Sequence, residues 1–160
     1  MKAKIFRIAI LFIFSSSLLA ENAIVLKQEG APLRITEYST QYGVYERRKV
    51  IAHSVKYINT TEKKIVAVKF GFVSFTVFNE FLNKFVGITV ENIDLNQETK
   101  SMWTDNHPRA FLFENYGTGL AYIDAVRYED GTIWKVNDAD ILPQIQEIES
   151  SFTADLLKEK

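Results

Sequence analysis

Apolar and polar residues alternate with a period of two along most of this chain, and that period predicts strands rather than helices. Residues 24–26 and 33–38 read as two short strands broken by Glu29-Gly30-Ala31-Pro32, because proline cannot donate to a ladder. The polar stretch 39–44, which contains Gly43, reads as a connection. Along residues 49–58, Ile51, His53, Val55 and Tyr57 share one face, and Val50, Ala52 and Ser54 share the other. Residues 65–78 are apolar on both sides: Val66, Val68, Phe70 and Phe72 on one face, Ile65, Ala67, Val73, Phe75 and Val77 on the other. Such a strand belongs in the middle of a sheet that is covered on both faces.

The spacing then changes. Phe78, Phe81, Leu82, Phe85 and Val86 recur at helical intervals and Gly87 follows, which predicts a short inserted helix with a glycine cap. Six of the twelve phenylalanines fall between Phe70 and Phe85. That concentration reads as a cap over one open end or as an aromatic docking surface, with Phe78, Phe81, Leu82 and Phe85 as candidate partner-binding residues. Residues 88–95 and 100–104 predict a strand pair turned at Asn96-Gln97-Glu98-Thr99. Residues 110–113 predict a short strand, and residues 115–119 a flexible break. Ile141, Ile145, Ile148, Phe152 and Leu156 are spaced by three or four. They predict a C-terminal amphipathic helix over about residues 140–158, capped by Asp138 or Asp140, with Pro143 in its first turn.

The clearest local signal lies in residues 119–136. Two runs rich in β-branched and aromatic residues flank Glu129-Asp130-Gly131, which marks a hairpin. A three-residue loop with Gly131 left-handed sets Tyr128 opposite Thr132 and Val126 opposite Trp134. Only that register keeps Arg127 and Lys135 off the face carrying Val126, Tyr128, Trp134 and Val136. Several short strands with frequent turns predict an all-β sandwich.

Composition changes the picture at the N-terminus. Met1-Lys2-Ala3-Lys4 and Arg7 precede an apolar run and Ser15-Ser16-Ser17-Leu18-Leu19-Ala20. Residues 1–20 therefore read as a signal peptide cleaved after Ala20, leaving one domain over residues 21–160 and no stable membrane insertion. The apolar run is shorter than the ~20 residues that span a bilayer. The chain has no cysteine, which suits a bacterial periplasm or secretion from a bacterium better than a disulfide-rich secretory route. Asn59-Thr60-Thr61 matches a glycosylation acceptor and reads here as a turn. Removing Lys2, Lys4 and Arg7 from the 19 basic residues leaves 16 against 20 acidic ones. Arg47-Arg48-Lys49 is then the only basic cluster, which argues against a nucleic-acid partner.

Candidate chemistry is sparse. The two histidines are His53, inside a strand pattern, and His107, before a proline. Asp105 with His107 supplies two ligands, short of a metal site, and residues 137–140 lack the length and glycine of a calcium loop. No nucleophile elbow or phosphate loop is present. Glu80, Glu114, Asp124 and Asp130 are the carboxylates that would have to converge in a hydrolase. No catalytic residue, metal or cofactor is expected, and the chain reads as a non-enzyme.

Val55-Lys56-Tyr57-Ile58-Asn59-Thr60, Val66-Ala67-Val68-Lys69-Phe70 and Val126-Arg127-Tyr128-Glu129-Asp130-Gly131-Thr132-Ile133-Trp134 together resemble small bacterial exported immunoglobulin-like domains, including the FxLYD-like group. Phe70-Gly71-Phe72-Val73-Ser74 stands where that group's own element would lie. The resemblance implies an immunoglobulin-like antiparallel β-sandwich and no particular activity. Two functions are expected from these features: an interaction module that binds a protein partner in the cell envelope, or a periplasmic carrier of a small apolar ligand or lipid.

Overall fold

The computed structural model describes residues 22–106 and 110–158. The expected leader at residues 1–20 lies outside them, as does His107. The described strands are β1 (Asn22–Val25), β2 (Leu33–Tyr45), β3 (Arg48–Asn59), β4 (Ile65–Thr76), β5 (Phe81–Ile93), β6 (Glu98–Asp105), β7 (Tyr116–Tyr128) and β8 (Ile133–Lys135). They form a two-sheet β-sandwich. One sheet runs β1-β7-β4-β5, with β8 also on β7, and the other runs β2-β3-β6.

β4 is central, as its two apolar faces require. Its inner face presents Val68, Phe70 and Phe72 to Val55 and Tyr57 of β3 in the core between the sheets. Its outer face presents Val73 and Phe75, which join Leu120 and Tyr122 of β7 under a helix, α1 (Asp138–Gln146). The result is three layers: β2-β3-β6, then the larger sheet, then α1 and the 3₁₀ turn Ala154–Leu157. Gly71 makes room within the larger sheet for Tyr122, its cross-strand neighbour on β7, since a Cβ there would lie 2.1 Å from the Tyr122 ring.

The hairpin has the expected register, with Val126 paired to Trp134 and Arg127 to Ile133, but Val136 packs in the outer layer and not on the face of Val126, Tyr128 and Trp134. Tyr128 N–H donates to Thr132 at 3.0 Å, and Gly131 has φ +83°. Asp130 Oδ1 accepts from Thr132 N–H at 2.9 Å and fixes the loop. The alternation expected for β3 also holds, with Ile51, His53, Val55 and Tyr57 all buried on one face.

Five local expectations are corrected. No inserted helix occurs at residues 78–86; these residues are a tight turn and the start of β5. Ser74 pairs with Asn83 but Phe75 with Phe81, so Leu82 is the extra residue of a bulge. The bulge swaps the faces of β5, and a period of two interrupted that way imitates helical spacing. The stretch 39–44 belongs to β2, because its inward Thr40 is held by a 2.7 Å hydrogen bond with the Tyr116 hydroxyl. β5 and β6 do not pair; the chain crosses between sheets, and Asn96 N–H donates to the Asn59 carbonyl at 2.9 Å. Residues 110–115 form a 3₁₀ helix, and the glycines of 115–119 lie in β7. A Cβ on Gly117 would meet the Val77 backbone at 2.7 Å, so close approach, not flexibility, requires that glycine.

The C-terminal helix is shorter than expected. It ends at Gln146, and the chain turns so that Phe152 folds back onto Phe75 and Phe81. Gln146 Nε2 holds the Phe152 carbonyl at 2.8 Å. Asn137 caps the helix by accepting from Ala139 N–H, while Asp138 and Asp140 sit in the first turn, where they favour the helix dipole. Pro143 lies in the second turn. The apolar stripe nevertheless buries together, as Ile141, Ile145 and Phe152, with Ile148 and Leu156 packed against them.

Gly131→Val tests the hairpin. No atom lies within 4 Å of the added Cβ, so the expected loss of ~1 kcal/mol or more arises from φ alone. Chemical denaturation measures it, and an unchanged midpoint contradicts the turn assignment.

Candidate functional site

The interior between the sheets is filled. His53 stacks on Phe72 at a centroid distance of 4.4 Å, and Phe85 lies beyond at 5.8 Å from the His53 ring. Trp103 closes the row beside Phe70 and Phe72 at 5.3 and 5.6 Å. Its ring rests on Gly87, where a Cβ would fall 2.5 Å from the indole. His53 Nδ1 shares a 3.0 Å hydrogen bond with the Tyr38 hydroxyl, and its Nε2 is buried without a partner. Burial lowers the His53 pKa to about 3 and raises that of Tyr38 well above the usual phenol range. His53 is thus a neutral core ring. With Tyr38, Thr40 and Tyr116 it forms a polar thread between the sheets.

The four candidate docking residues take different positions. Phe81 packs edge-on against Phe75 and Phe152 in the outer layer. Leu82 packs against the cluster of Ile51, Phe113 and Tyr116 at one end of the sandwich. Phe85 belongs to the inner stack. Phe78 alone of the four is open, with 79% of its surface exposed. It sits at the tip of the β4–β5 hairpin beside exposed Val77. Thr76 Oγ1 accepts from Phe78 N–H and Glu80 N–H at 3.1 Å each, and Asn79 holds φ +63°. The ring is therefore displayed on a braced turn.

A second tip leaves the same end. Tyr42 of β2 and Ile51 of β3 pack with Leu82 and Phe113 there, and β2 and β3 continue outward to Tyr45 and Arg48. Glu46 and Arg47 form the two-residue turn, with φ of +47° and +66°. A type I′ hairpin turn demands positive φ at both positions, and glycine or asparagine usually supplies it. Here charged residues bear that strain, a pattern more common at functional positions than elsewhere. Val44 and Tyr45 are exposed on this tip, and Lys49 pairs with Glu114 behind it. Sequence reading missed Val44, Tyr45 and Val77. The available signal was Glu46-Arg47 between two runs of alternating residues.

Three of the four candidate carboxylates are each engaged by a different lysine. Asp130 pairs with Lys63 at 3.0 Å, and its bonds to Thr132 and Lys63 hold its pKa at about 2. Asp124 is the extra residue of a bulge in β7 and lies 3.9 Å from Lys69. Glu114 is engaged by Lys49. Among the described residues no three metal-binding side chains cluster. Asp105 is buried and accepts from Asn83 Nδ2 at 2.9 Å; its proposed companion His107 lies outside the described residues. No helix among the described residues is long and apolar enough to cross a membrane.

No family model matches the chain, and no curated protein does. Among solved structures it is similar to a hypothetical protein from Peptoclostridium difficile 630, with a TM-score of 0.54 at 8% identity over 76% of this chain and 93% of that one. A Northeast Structural Genomics Consortium target is similar at a TM-score of 0.42 and 12% identity, over 66% of this chain and 80% of that one. The first likeness shows a shared fold alone; the second carries no argument.

The buried His53 ring makes stability depend on pH. Its folded pKa lies below the unfolded value of about 6.5, so the unfolded state alone takes up a proton as pH falls. The associated stability is complete above about pH 6.5 and is lost progressively towards about pH 3. Denaturation at pH 6.5 and pH 5 is expected to differ by roughly 2 kcal/mol from this ring. His53→Phe is expected to remove that difference, and an unchanged slope in the variant contradicts the assignment.

Proposed function

We propose that this chain is an exported, non-enzymatic interaction module of the bacterial envelope, which binds a protein partner through the two hairpin tips at one end of its sandwich. The carrying observation is Phe78, a large aromatic ring displayed to solvent on a turn braced by Thr76. Val77, Val44 and Tyr45 extend the apolar surface, and Arg47 and Arg48 add positive charge. Exposed Glu46 and Glu80 on the same tips balance that charge, so the partner is defined by a pocket for one aromatic ring, since aromatic anchors dominate such contacts. The signal-like residues 1–20 and the lack of cysteine support export.

The chain is, on this reading, a relative of the small exported immunoglobulin-like domains. The strand order supports it in part: β2-β3-β6 faces β5-β4-β7, with β8 and the parallel β1 both on the free edge of β7, where the A-B-E-D sheet faces C′-C-F-G in that architecture. A carrier of apolar ligands receives less support, because aromatic rings occupy the space between the sheets.

Phe78→Ser and Phe85→Ser separate docking from packing. Phe78→Ser is expected to abolish recovery of the partner with the protein from its own host while leaving the melting temperature within about 2 °C. Phe85→Ser is expected to cost ~3 kcal/mol or more by opening the inner stack. Retained partner binding in Phe78→Ser contradicts the proposal.

A further inference from the structure

The sandwich closes its sheet edges with side-chain amides. On β7, the main-chain N–H and C=O of Ile123 face the edge between β1 and β8. Gln28 Oε1 accepts from that N–H at 2.7 Å, and Gln28 Nε2 donates to that carbonyl at 2.8 Å. Just beyond β1, Gln144 of α1 does the same for Lys27, with both contacts at 2.9 Å. Each glutamine takes the place of a neighbouring peptide group.

β1 itself is left open. Leu26 N–H donates to the Ala121 carbonyl of β7. By strand alternation Asn22 and Ile24 also address β7, while Ala23, Val25 and Lys27 face away. Gln144 covers Lys27, so among the described residues the main-chain groups of the edge that find no partner are those of Ala23 and Val25. All four residues of β1 are exposed, Ile24 and Val25 among them. Proline, a bulge or a lysine normally blunts such an edge, and residues 22–25 contain none of these.

The two flanks of this edge differ. On the α1 side, a groove of about 670 Å³ runs over Ile24 and Leu120, and its rim carries Glu29, Asp140 and Glu147 against Lys27. On the β2 side, a groove of about 360 Å³ is lined by Ala31, Leu33 and Ile35, with Arg34 at its rim. A strand laid beside β1 sends alternate side chains into these two grooves. The acidic rim selects basic side chains on one flank, and the apolar lining selects aliphatic ones on the other.

We propose that β1 accepts an extended partner segment of alternating aliphatic and basic residues by strand addition at Ala23 and Val25. This surface is separate from the hairpin tips, so either can fail without the other.

A short blocked peptide alternating valine and lysine is the probe, titrated by fluorescence into the protein and its variants. Val25→Pro removes an N–H that faces solvent, so the fold is expected to persist while affinity falls at least about tenfold, the loss expected for one or more main-chain hydrogen bonds. Asp140→Asn with Glu147→Gln leaves the edge intact. It is expected to weaken the lysine peptide several-fold and to flatten the salt dependence of its binding. A valine–glutamate peptide is expected not to bind. Equal binding of the glutamate peptide, undiminished binding in Val25→Pro, or no binding of the lysine peptide overturns the proposal. Concentration-dependent self-association that Val25→Pro abolishes also overturns it, by assigning the edge to a second copy of the chain.

Discussion

β4 presents large apolar side chains to both sides of its sheet, and neither side tolerates water. Burying one such side chain contributes ~1.5–3 kcal/mol, so both faces demand a cover. The hairpin of β2 and β3, with β6, covers the inner face; α1 and the returning Phe152 cover the outer one. Glycine lets the inner cover come close, at Gly87 beneath Trp103, while Gly71 makes room within the larger sheet for the Tyr122 ring of the neighbouring strand. Once both layers are placed, only the ends and the outermost strands remain free to meet another molecule.

The polar groups inside this framework are organised to leave those free regions well defined. Asn59 is fully buried, donates to the carbonyls of Lys63 and Ile93, and accepts from Thr61. It ties the β3–β4 turn to the end of β5, and its amide is not available as a glycosylation acceptor. Gln28 and Gln144 act likewise at the edge of the larger sheet. Against these closed positions, the exposed ring of Phe78 and the strained Glu46-Arg47 turn stand out as features that packing does not explain.

Much of the framework was legible in the sequence because it is local or periodic. The Glu129-Asp130-Gly131 loop specifies its own register, the alternation from Ile51 to Tyr57 names a buried face, and the two-faced β4 places itself at the centre. What was not legible depends on partners distant in sequence. The bulge at Leu82 turned a strand into an apparent helix, because its cause is the pairing with Ser74 and Phe75. Ser39 to Val44 looked like a loop because Thr40 finds its hydrogen-bond partner 76 residues away in Tyr116. Of the candidate site, Phe78 was identified, but its separation from Phe81, Leu82 and Phe85 required the sheet register. Val44 and Tyr45 required knowledge of which hairpin tips share an end.

The central claim is that the hairpin end, and not the broad outer face of the larger sheet, meets the partner. Val90 offers the sharpest comparison, since it is 81% exposed on that outer face and matches Phe78 in exposure. A photo-reactive amino acid placed at position 78, and separately at position 90, reports in the host what each surface touches. The account predicts a discrete protein adduct from position 78 and none from position 90. No adduct from position 78, or the same adducts from both positions, contradicts it.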